Sequence, residues 1–317
     1  MPGTRALLSP APGERGLASH EPAHVAQLLD PAWAGVARIA ERVDLLAPSR
    51  LPGWNARDVL VHLGSWEDGD AVAARVAQAR SEVVEQAEDA DARNARLVAT
   101  HHDATRTEIL AALDRARRDT ARYLRGPDAP QVGTRLVSSV VGDLPLTLAF
   151  AARAYELAVH CLDLAPAGAH EPAPEILVAG LAALADVAGA LIARRGLAAT
   201  YVIATPVAGW VVGVQGPDWT TSRLERGRSA RSLGWPGIEG SAADVLDACA
   251  GRAALPRLLI TRRLRAYDVA ALLQLVPALE GVGGLGSEGA VRAAASWALA
   301  GAGRAVSEVR AHAPLRR

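Results

Sequence analysis

Glu156 and His160 stand four residues apart in a stretch with helical rhythm, about Leu146 to Leu162. That spacing puts both side chains on one face of a helix, about one turn apart. Ala149, Ala152 and Val159 share the face, so a carboxylate and an imidazole are directed at an apolar interior. An ionised Glu buried alone is costly, and something must compensate it. A cation is one answer, and Arg153, three residues before Glu156, is another. His62 lies among Val59, Leu63 and Trp66 in a second helical stretch, again a polar group on an apolar stripe. Inward groups on facing helices of a bundle can meet around a metal. Two His and one Glu leave an open coordination position, which suits catalytic zinc. Zinc in such a site lowers the pKa of a bound water or thiol. Asp163, one turn beyond His160, is placed to orient that ring. The plain structural readings stay open beside this one: a core histidine, an ordinary intrahelical Glu–His contact, or Glu156 paired with Arg153 and no metal at all.

The elements that must position these residues fall into two halves. Residues 22–46 have apolar positions at a helical period, with Asp30 expected to cap the main helix and Pro31 to occupy its first position. Asn55 reads as an N-cap with Asp58 three residues on, opening a helix from Ala56 towards Arg80. An acidic, polar stretch follows, then a third helix at about 104–124 and the fourth at 146–162. Four helices joined by loops predict a bundle. Pro166 to Pro174 reads as a linker. Beyond it, 176–195 is a long apolar helix, and strand-like runs follow at 200–204, 209–215, 219–224 and 258–261. Helices are expected over 241–249, opened by Ser241 and Asp244, and over 266–279. The fold class is α+β: a flexible leader (1–20), a bundle (21–165), a linker (166–175), a smaller α+β domain (176–280) and a partly helical C-terminal extension (281–317).

Bulk properties narrow the classes. The chain has 317 residues, long enough for two domains. Its formal charge is zero and all its basic residues are arginine, a bias that resembles a high-GC, actinobacterial genome. A neutral chain lacks the footprint of a nucleic-acid binder. The N-terminus lacks the apolar core of a signal peptide, and the longest apolar run, 176–192, is interrupted by Asp186. Neither nucleic acid nor membrane is an expected partner. Cys161 and Cys249 make no disulfide framework and fit a reducing cytoplasm. Cys161 diverges by about 100° from His160 on the helix and reads as a buried thiol. The glycine-rich run 281–289 lacks a strand-to-helix context and reads as a linker. His101 and His102 read as a surface pair, and Trp210, Trp219 and Trp235 as core of the second half.

Two segments also carry a family resemblance. Leu51-Pro-Gly-Trp54 through Val59-Leu-Val-His62-Leu resembles the signature of the mycothiol-dependent maleylpyruvate isomerases, a group within the DinB-like metal-binding four-helix bundles. Arg153-Ala-Tyr-Glu156 through Val159-His160-Cys-Leu-Asp163-Leu resembles that family's second conserved segment, about a hundred residues on as in the family. The resemblance implies that His62, Glu156 and His160 are the zinc ligands and that mycothiol is the thiol cosubstrate. It further implies a second domain similar to sterol carrier proteins, where Gly240 to Arg252 matches a recurring piece. Asp91 to Asn94 resembles a polar stretch near the active site of relatives, which makes Arg93 and Asn94 candidate substrate contacts, with a solvated loop as the plain alternative. Tyr155 departs from the family, where many relatives carry arginine. The expected function is a zinc-dependent enzyme in which an activated thiolate attacks an electrophilic small molecule, by S-transfer or by cis–trans isomerisation. The alternative is a non-catalytic, metal-stabilised bundle with a ligand-binding C-terminal domain.

Overall fold

The computed structural model describes residues 8–66, 71–81, 89–169 and 171–279. Residues 281–317, read from the sequence as a glycine-rich linker and a partly helical extension, therefore lie outside the described residues. Helices are α1 (Pro22–Ala40), α2 (Ala56–Leu63), α3 (Ala71–Ser81), α4 (Ala90–Thr100), α5 (Arg106–Arg125), α6 (Asp128–Val132), α7 (Leu146–Ala151), α8 (Arg153–Asp163), α9 (Pro174–Arg194), α10 (Ala230–Leu233), α11 (Ala242–Cys249), α12 (Leu255–Ile260) and α13 (Val269–Leu279). Strands β1 (Leu136–Val137) and β2 (Leu144–Pro145) form a small ribbon. Strands β3 (Ala199–Ala204), β4 (Gly209–Gln215), β5 (Asp218–Arg223), β6 (Gly237–Gly240) and β7 (Leu264–Tyr267) form one sheet in the order β5-β4-β3-β6-β7. All its pairs are antiparallel except β3 with β6. The class is α+β, as the sequence implies.

Helix α1 packs on α5, α8 and α9, and α2 packs on α5 and α8. The four expected helices therefore do face one another. Their details differ from the sequence reading in instructive ways. Asp30 does not restart α1, which runs on through Pro31. Its carboxylate instead accepts from Arg117 Nε at 2.8 Å and Nη2 at 3.2 Å, fastening α1 to α5. The second helix stops at Leu63 instead of running to Arg80. There the chain turns out, the Trp66 indole donates to the Val61 carbonyl at 2.8 Å, and Ser65 bonds the Ala112 carbonyl. A side chain at Gly64 would meet Ala112 Cβ at 2.8 Å, so α5 leaves no room for one. The fourth helix is two pieces, α7 and α8, meeting at Ala152. The acidic stretch ends in a further helix, α4, capped by the Asp89 side chain. The expected strand at 258–261 is helix α12, with Pro256 in its first turn where a missing amide costs nothing. The strand comes later, as β7. An apolar run of four or five residues has no period by which to choose between the two.

Helix α9 lies between the bundle and the sheet, packing on α8 and α1 on one side and on β4 and β5 on the other. Its apolar length would suit a membrane, with mean hydropathy 2.3, but 94% of that window is buried in the protein. A single hydrophobic cluster runs from α1 through α9 to Trp219. The two halves therefore share one core across the 166–175 connection.

From Leu8 onward the expected flexible leader is instead a strap laid on the sheet. The Leu8 amide donates to Thr200 Oγ1 at 3.0 Å, the Trp219 amide donates to the Glu14 carbonyl, and Arg15 pairs with Asp218. Leu17, 3% exposed, donates its amide to Asp186 Oδ2 at 3.0 Å. The same carboxylate accepts from Trp219 Nε1 at 2.9 Å and Thr221 Oγ1 at 2.5 Å. Gly16 sits at φ +52° where any side chain would collide with Asp186 and Trp219. The strap escapes a composition-based reading because its anchors are backbone amides and a buried acid far along the chain.

Burial pushes the Asp186 carboxyl up to about 7, against the pull of its three donors. A folded pKa above the ordinary 3.8 means that the group's contribution to stability is complete below about pH 4 and is lost as pH rises through 7. That displacement is worth about 4 kcal/mol at most. Asp186→Asn should therefore gain on the wild type as pH rises from 5 to 8, measured as the difference between their denaturant midpoints. A difference that does not move with pH would show that the carboxyl titrates normally.

Candidate functional site

His62 is placed by the capping of its short helix. The Asn55 side chain accepts the Asp58 amide at 3.0 Å and the Asp58 carboxylate accepts the Asn55 amide at 2.9 Å, satisfying two of the free donors at the N-terminus. The preceding loop folds back on itself: Ser49 and Ala56 amides bond the Trp54 and Ala47 carbonyls. That turn sets the Trp54 indole edge-on to the His62 ring, centroids 5.7 Å apart. Beyond the helix, Trp66 stacks on His101 at 4.1 Å, so one of the two expected surface histidines has a structural partner.

His62 and His160 meet with ring centroids 5.0 Å apart and planes at 81°. Glu156 is one helical turn before His160 on α8, and its charge is felt at both rings. The structure thus brings His62 and His160 into ring contact from two helices nearly a hundred residues apart in sequence, with Glu156 near enough for its charge to act on both. They form a neighbourhood with Glu156 turned aside: its Oε2 accepts from Arg153 Nη1 at 3.2 Å. Among the described residues, no group of three or more His, Cys, Asp or Glu side chains lies close enough together to hold a metal ion.

The donors nevertheless fit a cation. His62 is 9% exposed, and its Nδ1 is buried without a hydrogen-bond partner. Buried polar atoms are rarely left so, and each such case calls for a reason. Burial drives the His62 ring down to about 4, with Glu156 opposing and His160 adding to the fall. The ring is therefore neutral near pH 7, with a lone pair to give. His160 Nδ1 is 3.1 Å from Asp163 Oδ2. The carboxylate only accepts, so Nδ1 carries the proton and Nε2 keeps its lone pair in the neutral ring. Burial raises the Glu156 carboxyl, but Arg153, His62, His160 and Arg93 together outweigh it and hold it below its ordinary value. Asp163, wholly buried, is likewise held low by bonds from His160 and Arg252 against its own desolvation.

Positive charge surrounds the trio. Arg153 also donates to the Leu63 carbonyl at 3.0 Å, tying α8 to the end of α2. Arg93, on α4, acts on His62, Glu156 and Arg75. Asn94, its neighbour, has no contact with the trio among the described residues. Arg75 on α3 bonds the Ser138 carbonyl at 3.2 Å, and burial first, then Arg153 and Arg93, lower its pKa. Arg75 and Arg153 line a cavity of about 170 Å³ with Trp33, Ser65, Thr120 and Phe150. Arg75 was not among the residues predicted; it sits on a helix with no marked apolar face, which gives a sequence reader no reason to turn it inward. Cys161 is 1% exposed in the core, and burial pushes its thiol up to about 12, which suits a packing role and not a nucleophile.

Residues 26–165, which contain the whole trio, match the family model described as the mycothiol maleylpyruvate isomerase N-terminal domain. That segment is similar to this family's N-terminal domain. Among solved structures, the mycothiol-dependent maleylpyruvate isomerase aligns at 16% identity with a TM-score of 0.46, over 75% of this chain and 92% of that one. A histidine-to-alanine mutant of a mycothiol-dependent maleylpyruvate isomerase aligns over the same shares at 18% identity and the same TM-score. No curated protein matches the chain. Within the family domain, the described turn 51–54 and the α8 segment 153–163 are the two stretches that build the site.

The neutral state of His62 can be read directly. In metal-free protein its ring should titrate with a midpoint near 4, followed by the ring carbon chemical shift in NMR. Because the folded value lies below the ordinary 6.5, the ring's contribution to stability is complete above that pH and is lost as pH falls towards 4. A midpoint near 6.5 would place the ring in water and remove it from a buried site.

Proposed function

We propose that the chain is a zinc-dependent, mycothiol-using enzyme of the maleylpyruvate isomerase type, acting on an electrophilic small molecule. The observation that carries this reading is the buried, unpartnered Nδ1 of a neutral His62 set against His160 and Glu156. The match of residues 26–165 to the mycothiol maleylpyruvate isomerase N-terminal domain supports the choice of thiol. His62, Glu156 and His160 would hold the ion. When bound, zinc supplies a lowered thiol pKa and an anion-stabilising charge.

The chain's own residues do the rest. His62 offers its lone pair with no proton to displace near neutral pH. Asp163 holds the His160 ring in the tautomer that leaves Nε2 free. Trp54 and the end of α2 wall one side. Arg75, Arg93 and Arg153 give the pocket a positive field that favours a thiolate over a thiol. In the reaction, the thiolate sulfur forms a bond to an electrophilic carbon while the π electrons of that carbon move onto the conjugated group. If the adduct is protonated and leaves, the result is S-conjugation. If it rotates and expels sulfur, the double bond re-forms with changed geometry and the thiol is returned. Neither outcome involves net oxidation. Arg93 is assigned to the substrate side of this pocket, with Asn94 beside it.

A second reading has its own observation. Arg153 already pairs with Glu156 at 3.2 Å, as it would in a bundle that never takes up metal. Titrating the purified full chain with zinc separates the two. The enzyme reading expects one tightly held ion per chain. It also expects His62→Ala and Glu156→Ala to weaken that affinity more than the roughly 10–100-fold of an outer-shell change. Consumption of mycothiol with candidate electrophiles should fall in step. A wild type that takes up no zinc, or a His62→Ala variant that keeps it stoichiometrically, would favour the ion-pair reading.

A further inference from the structure

Asp163 has no exposed surface and yet receives donors from three places. One is His160 on its own helix. The second is Arg50, in the loop before α2, whose Nε lies 3.3 Å from Oδ1. The third is Arg252, from the C-terminal half, whose Nε lies 3.1 Å from Oδ1 and Nη2 3.2 Å from Oδ2. The two arginines are themselves fixed. Arg50 turns its Nη1 and Nη2 onto Asp247 of α11 at 3.0 and 2.5 Å, and its amide bonds the Asp163 carbonyl at 2.9 Å. Arg252 donates Nη1 to the Ala250 carbonyl at 3.1 Å and its amide to the Asp247 carbonyl at 2.8 Å.

We propose that Arg252 is a positioning residue for His160: the C-terminal half sets the ring's orientation through Asp163, with the Arg50–Asp247 pair as its brace. This rests on the reading of His160 as a metal ligand. The geometry supports it on three counts. Arg252 grips both oxygens of the one carboxylate that touches a ring of the trio, so the carboxylate cannot rotate about its bond to the helix. A planar guanidinium can span two oxygens in this way, whereas an ammonium presents a single point. And α11, which the Arg252 turn follows, packs directly on α8, so the grip reports the seating of the second half on the first. The C-terminal half then completes the site without lending it a ligand.

The test is zinc affinity of the full chain, by competition with a chromophoric chelator, together with the visible spectrum of the cobalt-loaded protein. Arg252→Gln should weaken zinc by about 10–100-fold and alter the cobalt bands at saturation. Arg252→Lys, which keeps the charge and guards against loss of folding, should fall between the two. The control is Arg263→Gln, which breaks the neighbouring pair to Asp244 on the same helix α11. It should leave both readouts at wild-type values. Wild-type zinc affinity and cobalt spectrum in both Arg252 variants would overturn the proposal while leaving the metal site intact. So would equal losses in Arg252→Gln and Arg263→Gln, which would mean a general structural effect. A wild type that binds no zinc would instead overturn the metal reading, and this inference with it.

Discussion

A carboxylate sealed from water has to be matched by donors, and in this chain the matching of Asp163 joins three separate parts of the molecule. Removing a charge from water costs several kcal/mol unless partners replace the lost hydration. Here the partners are drawn from the bundle, from the loop that leads into α2, and from the far half of the chain. Meeting that demand draws residues 50, 163 and 252 to one point. It also fixes which nitrogen of His160 is free. The requirement of one buried anion thus becomes the orientation of the ring that meets His62.

Asp186 solves the same problem differently. Its donors are neutral: an indole, a hydroxyl and a backbone amide. Without a guanidinium nearby, burial prevails and the carboxyl rises to about 7, whereas Asp163 is held low. The contrast shows how two acids of one protein acquire opposite tendencies from their partners alone. It also assigns them different work. Asp163 organises charged groups around His160; Asp186 tethers the N-terminal strap to α9 and the sheet.

Much of the site was legible because its residues violate the apolar pattern around them. His62, Glu156 and His160 each break a hydrophobic stripe, and helical spacing pairs the last two before any coordinates are known. The same logic placed Asp163 beside His160 and the Asn55–Asp58 cap at the start of α2. The parts that escaped share a physical cause. Arg50 and Arg252 act across more than eighty residues of chain, and no local period reports such a pairing. Arg75 lies on a weakly amphipathic helix. The strap of residues 8–20 is held by backbone amides, whose reach composition does not encode. Helix α12 was misread as a strand because a short apolar run fits both, and the Pro256 that marks a helix start also occurs at strand edges.

Tyr155 shows how a side chain next to the site can serve the join between the halves. It occupies the position before Glu156. Successive positions on a helix diverge by about 100°, so its side chain leaves the Glu156 face. Its hydroxyl is buried without a partner, and burial first, then Cys249, raises its pKa well above 10. Arg252 and Asp247 are the next charges it feels. Tyr155 therefore belongs to the contact between α8 and α11, the contact that also seats Arg252 on Asp163. Arg50, Asp247, Arg252 and Asp163 carry charge at that join, so the alignment of His160 is tied to it.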